Sequence, residues 1–330
     1  MNKLTTAVVM CTYNGEKFIK TQLDSILAQH VPVNKIFISD DNSSDNTFKI
    51  LQNYKKKNPE LFEIEKNQNN LGYIKNFEKT LLKAKDFDIL FFSDQDDYWE
   101  CNKTEEILKA FMENDVSLIF TNAIITDENL RSTGNNLWDK TFSYTIKKEF
   151  YKNPQKLLYR TGVITGATMA LRSSLINDIV PFGNFWIHDA WIACVSQFFG
   201  KIKPLNLTLI KYRQSESQSV GLKNNGTPKS FFEWIKYLNS ENAYRDKIKE
   251  INLKLSKTEE MILFLKTKGI EYNELKTQLN FLNKRKNLNI HCFIFRLFFV
   301  IYNYLNKNYF ISKYNKIVCI KDLFLHKKDI

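Results

Sequence analysis

The sequence has 330 residues, of which 43% are apolar, 25% charged and 14% aromatic. That is enough chain for one large or two ordinary domains with buried cores, and it excludes disorder over most of the length. The net charge of +12 is uneven: residues 1–220 carry 27 Lys and Arg against 26 Asp and Glu, and residues 221–330 carry 21 against 10. A near-neutral body joined to a basic region predicts two functional parts, the second with an anionic membrane or nucleic acid as partner. The five cysteines are scattered with no CxxC pair, which argues against structural zinc and fits a reducing cytosol. The N-terminal apolar run is too short for a signal peptide, and no apolar stretch reaches the roughly 18–20 residues of a spanning helix. A soluble or peripheral protein is expected.

Taken in order, AVVMCTY (7–13) reads as a buried strand. A helix from Glu16 to about Gln29 follows, with Ile19, Leu23, Ile26 and Leu27 on one face. KIFISDD (35–41) is a second strand, followed by a helix capped by Asp45 with Phe48, Ile50, Leu51 and Tyr54 as apolar members. LFEIEKN (61–67) alternates as a third strand, residues 73–84 form a third helix, and DILFFSD (88–94) is a fourth strand. Strand then helix, repeated over short connections, predicts an α/β fold with a parallel sheet covered on both faces. Ligands of such sheets sit beyond the carboxyl ends of the strands.

Two acidic clusters fall there: Asp40-Asp41-Asn42-Ser43-Ser44-Asp45 after the second strand and Asp94-Gln95-Asp96-Asp97 after the fourth. The first is equally readable as turn and cap residues. The second puts three carboxylates within four residues, which repel one another without a cation, and hard oxygen ligands suit Mg²⁺ or Mn²⁺. No GxGxxG or GxxxxGK[ST] occurs, so nicotinamide enzymes and P-loop nucleotidases are excluded. A nucleotide here would be held by its base, its ribose and a metal-bridged diphosphate.

The strings VVMCTYNGEKFIKTQLDSILAQ, FISDDNSSDNT, NLGYIKNFEKTLLKA and SDQDDYW, then TGATMALR, HDAWIACVSQFFGKI and LIKYRQ, resemble family 2 glycosyltransferases in order and spacing. The likeness covers roughly residues 5–220 and is greatest to the rhamnosyltransferase-like branch that builds bacterial surface polysaccharides. It implies a GT-A type Rossmann-like sheet with a nucleotide-binding half (1–100) and an acceptor and sugar half (101–220). The implied activity is inverting transfer of a sugar, rhamnose favoured, from a nucleoside-diphosphate sugar to a lipid-linked or polysaccharide acceptor.

The resemblance also implies residue roles. Thr12 and Tyr13 close the first strand beside the nucleotide base, and Asp41 hydrogen-bonds the base ring. Asp94 and Asp96 match the DxD motif, Asp96 as metal ligand and Asp94 nearer the ribose, with Asp97 assisting. Asp189 matches the general base, and Gly166, Ala167 and Thr168 shape the sugar pocket. His188 is read as a positioning or packing residue beside that pocket. Arg213 is placed at the diphosphate or in a surface pair, and Trp99, Trp186 and Trp191 serve as sugar-stacking faces or as core. Many relatives carry a metal-binding His at the position of Ser215, so Ser215, water or Gln218 would take its place here.

Two other classes compete with this reading. A sugar nucleotidyltransferase of similar fold is disfavoured by the lack of a Gly-rich, basic N-terminal segment. A nucleic-acid-binding protein is suggested only by the basic region, whose interleaved Phe, Leu and Ile suit a lipid interface better. There Phe293, Leu297, Val300, Ile301 and Leu305 form one helical stripe near Arg296 and Lys307. That stripe predicts either core packing or an interfacial helix of a peripheral protein on the cytoplasmic face of the inner membrane.

Overall fold

The computed structural model describes residues 4–113, 115–215, 241–288, 291, 293–306, 308–309 and 315–324. The chain divides into two compact units, Met1–Gly221 and Leu222–Ile330. In the first unit the elements run β1 (Thr6–Thr12), α1 (Ile19–Leu27), β2 (Lys35–Asp40), α2 (Thr47–Lys57), β3 (Phe62–Lys66), α3 (Tyr73–Lys83) and β4 (Ile89–Ser93). There follow β5 (Tyr98–Trp99), α4 (Lys103–Ala110), β6 (Val116–Thr126), β7 (Ser132–Asn136), α5 (Leu137–Thr141), α6 (Tyr144–Lys152) and α7 (Pro154–Arg160). β8 (Met169–Arg172), α8 (Ile176–Ile179), α9 (His188–Ser196) and β9 (Lys201–Arg213) complete the unit.

The described strands form one sheet in the order β3-β2-β1-β4-β8-β6-β9-β5, with β7 paired to β6. β3, β2, β1 and β4 are mutually parallel, and Val8 faces Ile36 on one side and Phe91 on the other. β8 enters antiparallel between β4 and β6, and β9 runs parallel to β6. Ala7–Met10 and Ile89–Phe92 are fully buried, as expected of central strands covered on both faces, whereas in the edge strand β3 only Phe62 is buried. β1 is the switch point: the chain leaves it toward β2 and returns to its other side at β4. The crevice therefore opens beyond Thr12, Asp40 and Ser93.

The first helix is shorter than the periodicity predicts, because its first turn is diverted into the loop. The Phe18 and Ile19 N–H groups both donate to the Gly15 carbonyl, and Glu16 is tied to the 45–46 segment. Asn46, not Asp45, occupies the cap position of α2, although Asp45 Oδ1 still accepts the Thr47 N–H at 2.9 Å.

The second unit contains α10 (Glu241–Thr267), α11 (Asn273–Lys286), α12 (Phe293–Leu305) and α13 (Asn315–Phe324). α10 ends in a Schellman motif: Gly269, at φ 72°, donates to the Lys266 carbonyl and Ile270 to that of Leu265. Asp322 is fully buried and accepts from Arg285 Nε at 2.6 Å and Tyr309 Oη at 2.7 Å, with Lys247 Nζ 3.3 Å away. Burial opposes its charge, but Arg285 and Lys247 outweigh that and hold its carboxyl below the usual range. A depressed folded value means that this stabilisation is complete above the unfolded value of about 3.9 and is lost on acidification through the folded one. Helix content followed against temperature is expected to give a flat midpoint from about pH 7 to 5 and a drop below about pH 4. Asp322→Asn should be less stable at neutral pH, by about 3 kcal/mol, and show a shallower acid drop. An unchanged acid profile in the variant would remove Asp322 as its source.

The stripe anticipated on α12 is divided in the structure. Val300 is buried, yet Phe293, Ile301 and Leu305 are exposed, and Arg296 points inward instead of flanking an interface. Lys307 and Gln218 lie outside the described residues.

Candidate active site

The loops at the rim are laced by side chains to backbone. Thr12 Oγ1 donates to Asp40 Oδ2 at 2.9 Å, and Asp40 also receives the Ser43 N–H and hydroxyl. Asp41, expected at the base ring, has both carboxylate oxygens on the 67–72 segment. They accept the Leu71 N–H at 2.7 Å, the Gly72 N–H at 2.9 Å and Asn67 Nδ2 at 2.9 Å. Its visible task is to fix the chain entering α3, where Gly72 sits at φ 76°. Tyr13 is 49% exposed, so its ring is available at the rim while its backbone is fixed. The Gln95 amide fixes it: the Tyr13 N–H donates to Oε1 at 2.9 Å, and Nε2 donates to the Tyr13 carbonyl at 3.0 Å. Gly15 leaves room for this, since a Cβ there would fall 2.3 Å from Gln95 Oε1.

Gln95 stands between Asp94 and Asp96, so the same pairing joins the end of β1 to the acidic turn. Burial, then repulsion from Asp96 and Asp189, pushes the Asp94 carboxyl up to about 7 against the pull of Lys103. Burial and the charges of Asp96 and Asp94 raise Asp97 as well. Asp97 Oδ1 accepts the Arg213 N–H at 3.0 Å, whereas the buried Oδ2 has no hydrogen-bond partner among the described residues. Arg213, expected at the diphosphate or on the surface, is 3% exposed. Its Nε donates to the Asp96 carbonyl at 2.5 Å, its Nη1 to the Glu128 carbonyl, and its guanidinium lies 4.3 Å from the Phe18 ring centre. Arg213 thus clamps the backbone of the acidic turn.

Among the described residues no three His, Cys, Asp or Glu side chains converge as a ready cage for an ion. The set nonetheless fits Mg²⁺ or Mn²⁺, which commonly bind through one or two carboxylates and complete their shell with substrate phosphate. Burial first and then the charges of Asp96 and Asp189 raise Asp94, both of which a cation at the turn would offset, and Asp97 Oδ2 is a further acceptor.

Beneath the turn lies a cation that sequence reasoning missed. Lys103 is fully buried, 3.7 Å from the centre of the Trp99 ring, and donates from Nζ to the Ala167 carbonyl at 2.9 Å. Burial lowers its pKa, while Asp97 and Asp94 oppose that loss of charge. The turn Gly166–Thr168 is therefore held from one side by Lys103 and from the other by Asp189, whose Oδ2 accepts the Gly166 N–H at 3.1 Å. Asp189 is the second residue of α9, beyond the cap position at Ile187, and its Oδ1 accepts the Ala190 N–H at 2.6 Å. Behind burial, the Asp189 charge helps raise Asp94, Tyr73 and Tyr212, so Asp189 lies near the acidic turn.

His188 is buried and stacks on Phe77 with ring centres 4.1 Å apart, and burial lowers its pKa. A Cβ at Gly166 would come 2.9 Å from His188 Nε2, so the glycine lets the imidazole pack against this turn. Trp191, expected in the sugar pocket, is 1% exposed and donates Nε1 to the Ile179 carbonyl at 2.7 Å. Trp99 and Trp186 are likewise buried, so all three are core instead of stacking faces. Ser215 is half-buried just past β9.

The sequence profile of glycosyl transferase family 2 matches residues 7–180. The dTDP-rhamnosyl transferase RfbG of Shigella flexneri is 30% identical over 221 residues, 64% of this chain and 73% of that protein. The UDP-Glc:alpha-D-GlcNAc-diphosphoundecaprenol beta-1,3-glucosyltransferase WfgD of Escherichia coli is 27% identical over 66% of this chain and 80% of its own. In fold, S. aureus TarS 1-349 in complex with UDP-GlcNAc superposes with a TM-score of 0.52 at 16% identity, over 97% of this chain and 90% of that one. With its mostly parallel sheet, its GT-A neighbours and this profile match, the chain belongs to glycosyl transferase family 2 and is a nucleotide-sugar-dependent glycosyltransferase.

Proposed function

We propose that the protein transfers a hexose, rhamnose favoured, from a nucleoside-diphosphate sugar to a lipid-linked or polysaccharide acceptor of a bacterial surface glycan, with inversion. The observation that carries this reading is that Asp189 and Lys103, the cation buried beside Asp94 and Asp97, both bind the segment Gly166–Thr168, with the Asp189 charge acting on Asp94. The acceptor oxygen bonds to the anomeric carbon and its proton passes to Asp189. The bond from that carbon to the diphosphate breaks, and the nucleoside diphosphate leaves with the electron pair. Asp94 and Asp96, assisted by Asp97, would hold Mg²⁺ or Mn²⁺, which supplies neutralising charge to the departing diphosphate. Thr12 and Tyr13 border the base, and Gly166, Ala167, Thr168 and the buried His188 shape the sugar side.

Rhamnose is favoured by the 30% identity to a dTDP-rhamnosyl transferase, and a lipid-linked acceptor by the name of the E. coli relative. Work on such an acceptor places the enzyme at the cytoplasmic face of the inner membrane, as a peripheral protein. The test is a panel of nucleotide sugars scored for slow hydrolysis and, with acceptor, for the anomeric configuration of the product. Retention of configuration, or no turnover of any nucleotide sugar, would overturn the reading.

Ser215→His is expected to tighten Mn²⁺ binding, because imidazole is a better ligand than a hydroxyl at a position just past Arg213. Calorimetric titration in the presence of a nucleoside diphosphate measures it. Equal affinity in both proteins would place Ser215 away from the ion.

A further inference from the structure

The polarity of α12 is inverted. Arg296, Val300 and Asn303 face the interior of the helical unit, at 6–8% exposure. Phe293, Ile294, Phe295, Phe298, Ile301 and Leu305 face outward, at 45–73% exposure, and Tyr302 and Tyr304 join them. At 3.6 residues per turn the exposed apolar positions sweep an arc of about 200°, the inward positions an arc of about 60°. An ordinary surface helix is arranged the other way round. Inside the unit, Asp322, Arg285 and Lys247 form a buried ionic cluster among apolar side chains such as Ile251, Leu282 and Phe281, and Asn303 Nδ2 donates within the helix to the Phe299 carbonyl at 2.8 Å. Between α12 and α13, with the buried Val300 and Cys319 in its lining, Ile301, Tyr304, Leu305 and Ile320 border a groove of about 260 Å³.

We propose that the outward arc of α12, with the α12–α13 groove, inserts into the acyl layer of an anionic membrane leaflet. Three features select this occupant. An arc of about 200° is twice the stripe of about 100° that one packed helix covers, whereas fluid hydrocarbon covers any shape. The unit that carries the arc holds 21 Lys and Arg against 10 Asp and Glu, which complements acidic headgroups. At 13 residues, or about 20 Å, α12 is too short for a hydrocarbon core of about 30 Å, so it lies in the plane of the interface. Among the described residues no helix is long and apolar enough to cross a membrane. The surface deepens the peripheral placement proposed above and rests on neither the sugar nor the base assigned there.

The experiment floats the full-length protein with vesicles of phosphatidylethanolamine and phosphatidylglycerol, beside vesicles of phosphatidylcholine alone. Wild type is expected with the anionic vesicles, and Ile294→Ser/Phe298→Ser/Leu305→Ser is expected to partition at least about 100-fold less. Those side chains are 65%, 68% and 73% exposed, so the variant should keep the wild-type melting temperature. Failure of wild type to float, equal flotation of the variant, or equal flotation with phosphatidylcholine would overturn the proposal. So would light scattering that shows a wild-type oligomer which the variant dissociates, since the arc would then be a contact between copies. Phe298→Trp keeps the surface apolar, and its fluorescence should be quenched by brominated acyl chains; no added quenching also overturns it. Donor hydrolysis, measured without vesicles, reports on the catalytic reading separately.

Discussion

Asp189→Asn is expected to lower transfer by roughly 10²–10⁴-fold while donor binding stays within a few-fold. The substitution preserves the shape of the side chain, and its carbonyl oxygen can still accept one of the two N–H groups that Asp189 now holds, those of Gly166 and Ala190. The other loses its acceptor, which costs about 1 kcal/mol and should lower the melting temperature slightly. What the amide cannot do is take the acceptor's proton. The loss should therefore appear in kcat, with the affinity for the nucleoside diphosphate, read by calorimetry, little changed. A variant that keeps more than about a tenth of wild-type turnover would show that Asp189 is not the base.

The order of the nucleotide-binding half was legible because its central strands are apolar runs and its helices periodic, signals that arise within ten or so residues of chain. The motifs after β1, β2 and β4 were legible because topology gathers strand ends, whatever the loops do. Contacts made over long separations were not legible. Lys103 sits in NKTEEILKA, which reads as a solvated helix start, yet its partner is the Ala167 carbonyl 64 positions away. Gln95 looked like the spacer in an acidic motif, and its amide instead mimics a strand neighbour for Tyr13, 82 positions earlier. Arg213 shows the converse error. In sequence it reads as a residue at the diphosphate or in a surface pair, but β9 brings it in beside the acidic turn as a backbone clamp. For α12 the apolar residues were visible, but too many faces are apolar for periodicity alone to say which is inward; the burial of Arg296 and Asn303 decides it.

Asp96→Ala should separate stability from function at the acidic turn, moving them in opposite directions. Arg213 Nε holds the Asp96 carbonyl, which the substitution keeps, so the turn should stay in place, and the attraction lost is that of the Asp96 charge for the Arg213 cation. Asp96 is, after burial, the largest influence raising Asp94 and Asp97, so its removal relieves repulsion between carboxylates that share one pocket. Without ligands the variant should be more stable by on the order of 1 kcal/mol, or roughly 2–4 °C for a unit of this size. With Mn²⁺ and a nucleoside diphosphate it should lose the metal-enhanced binding of wild type, and turnover should fall by about 10³-fold, because the ion that neutralises the leaving group has lost a ligand. Differential scanning calorimetry without metal, and titration calorimetry with it, read the two halves independently. A variant that melts lower yet binds nucleotide with undiminished help from Mn²⁺ would make Asp96 a structural residue and place the ion elsewhere. A variant that melts higher but keeps the metal enhancement would leave Asp94 and Asp97 as the ligands, with Asp96 contributing only repulsion.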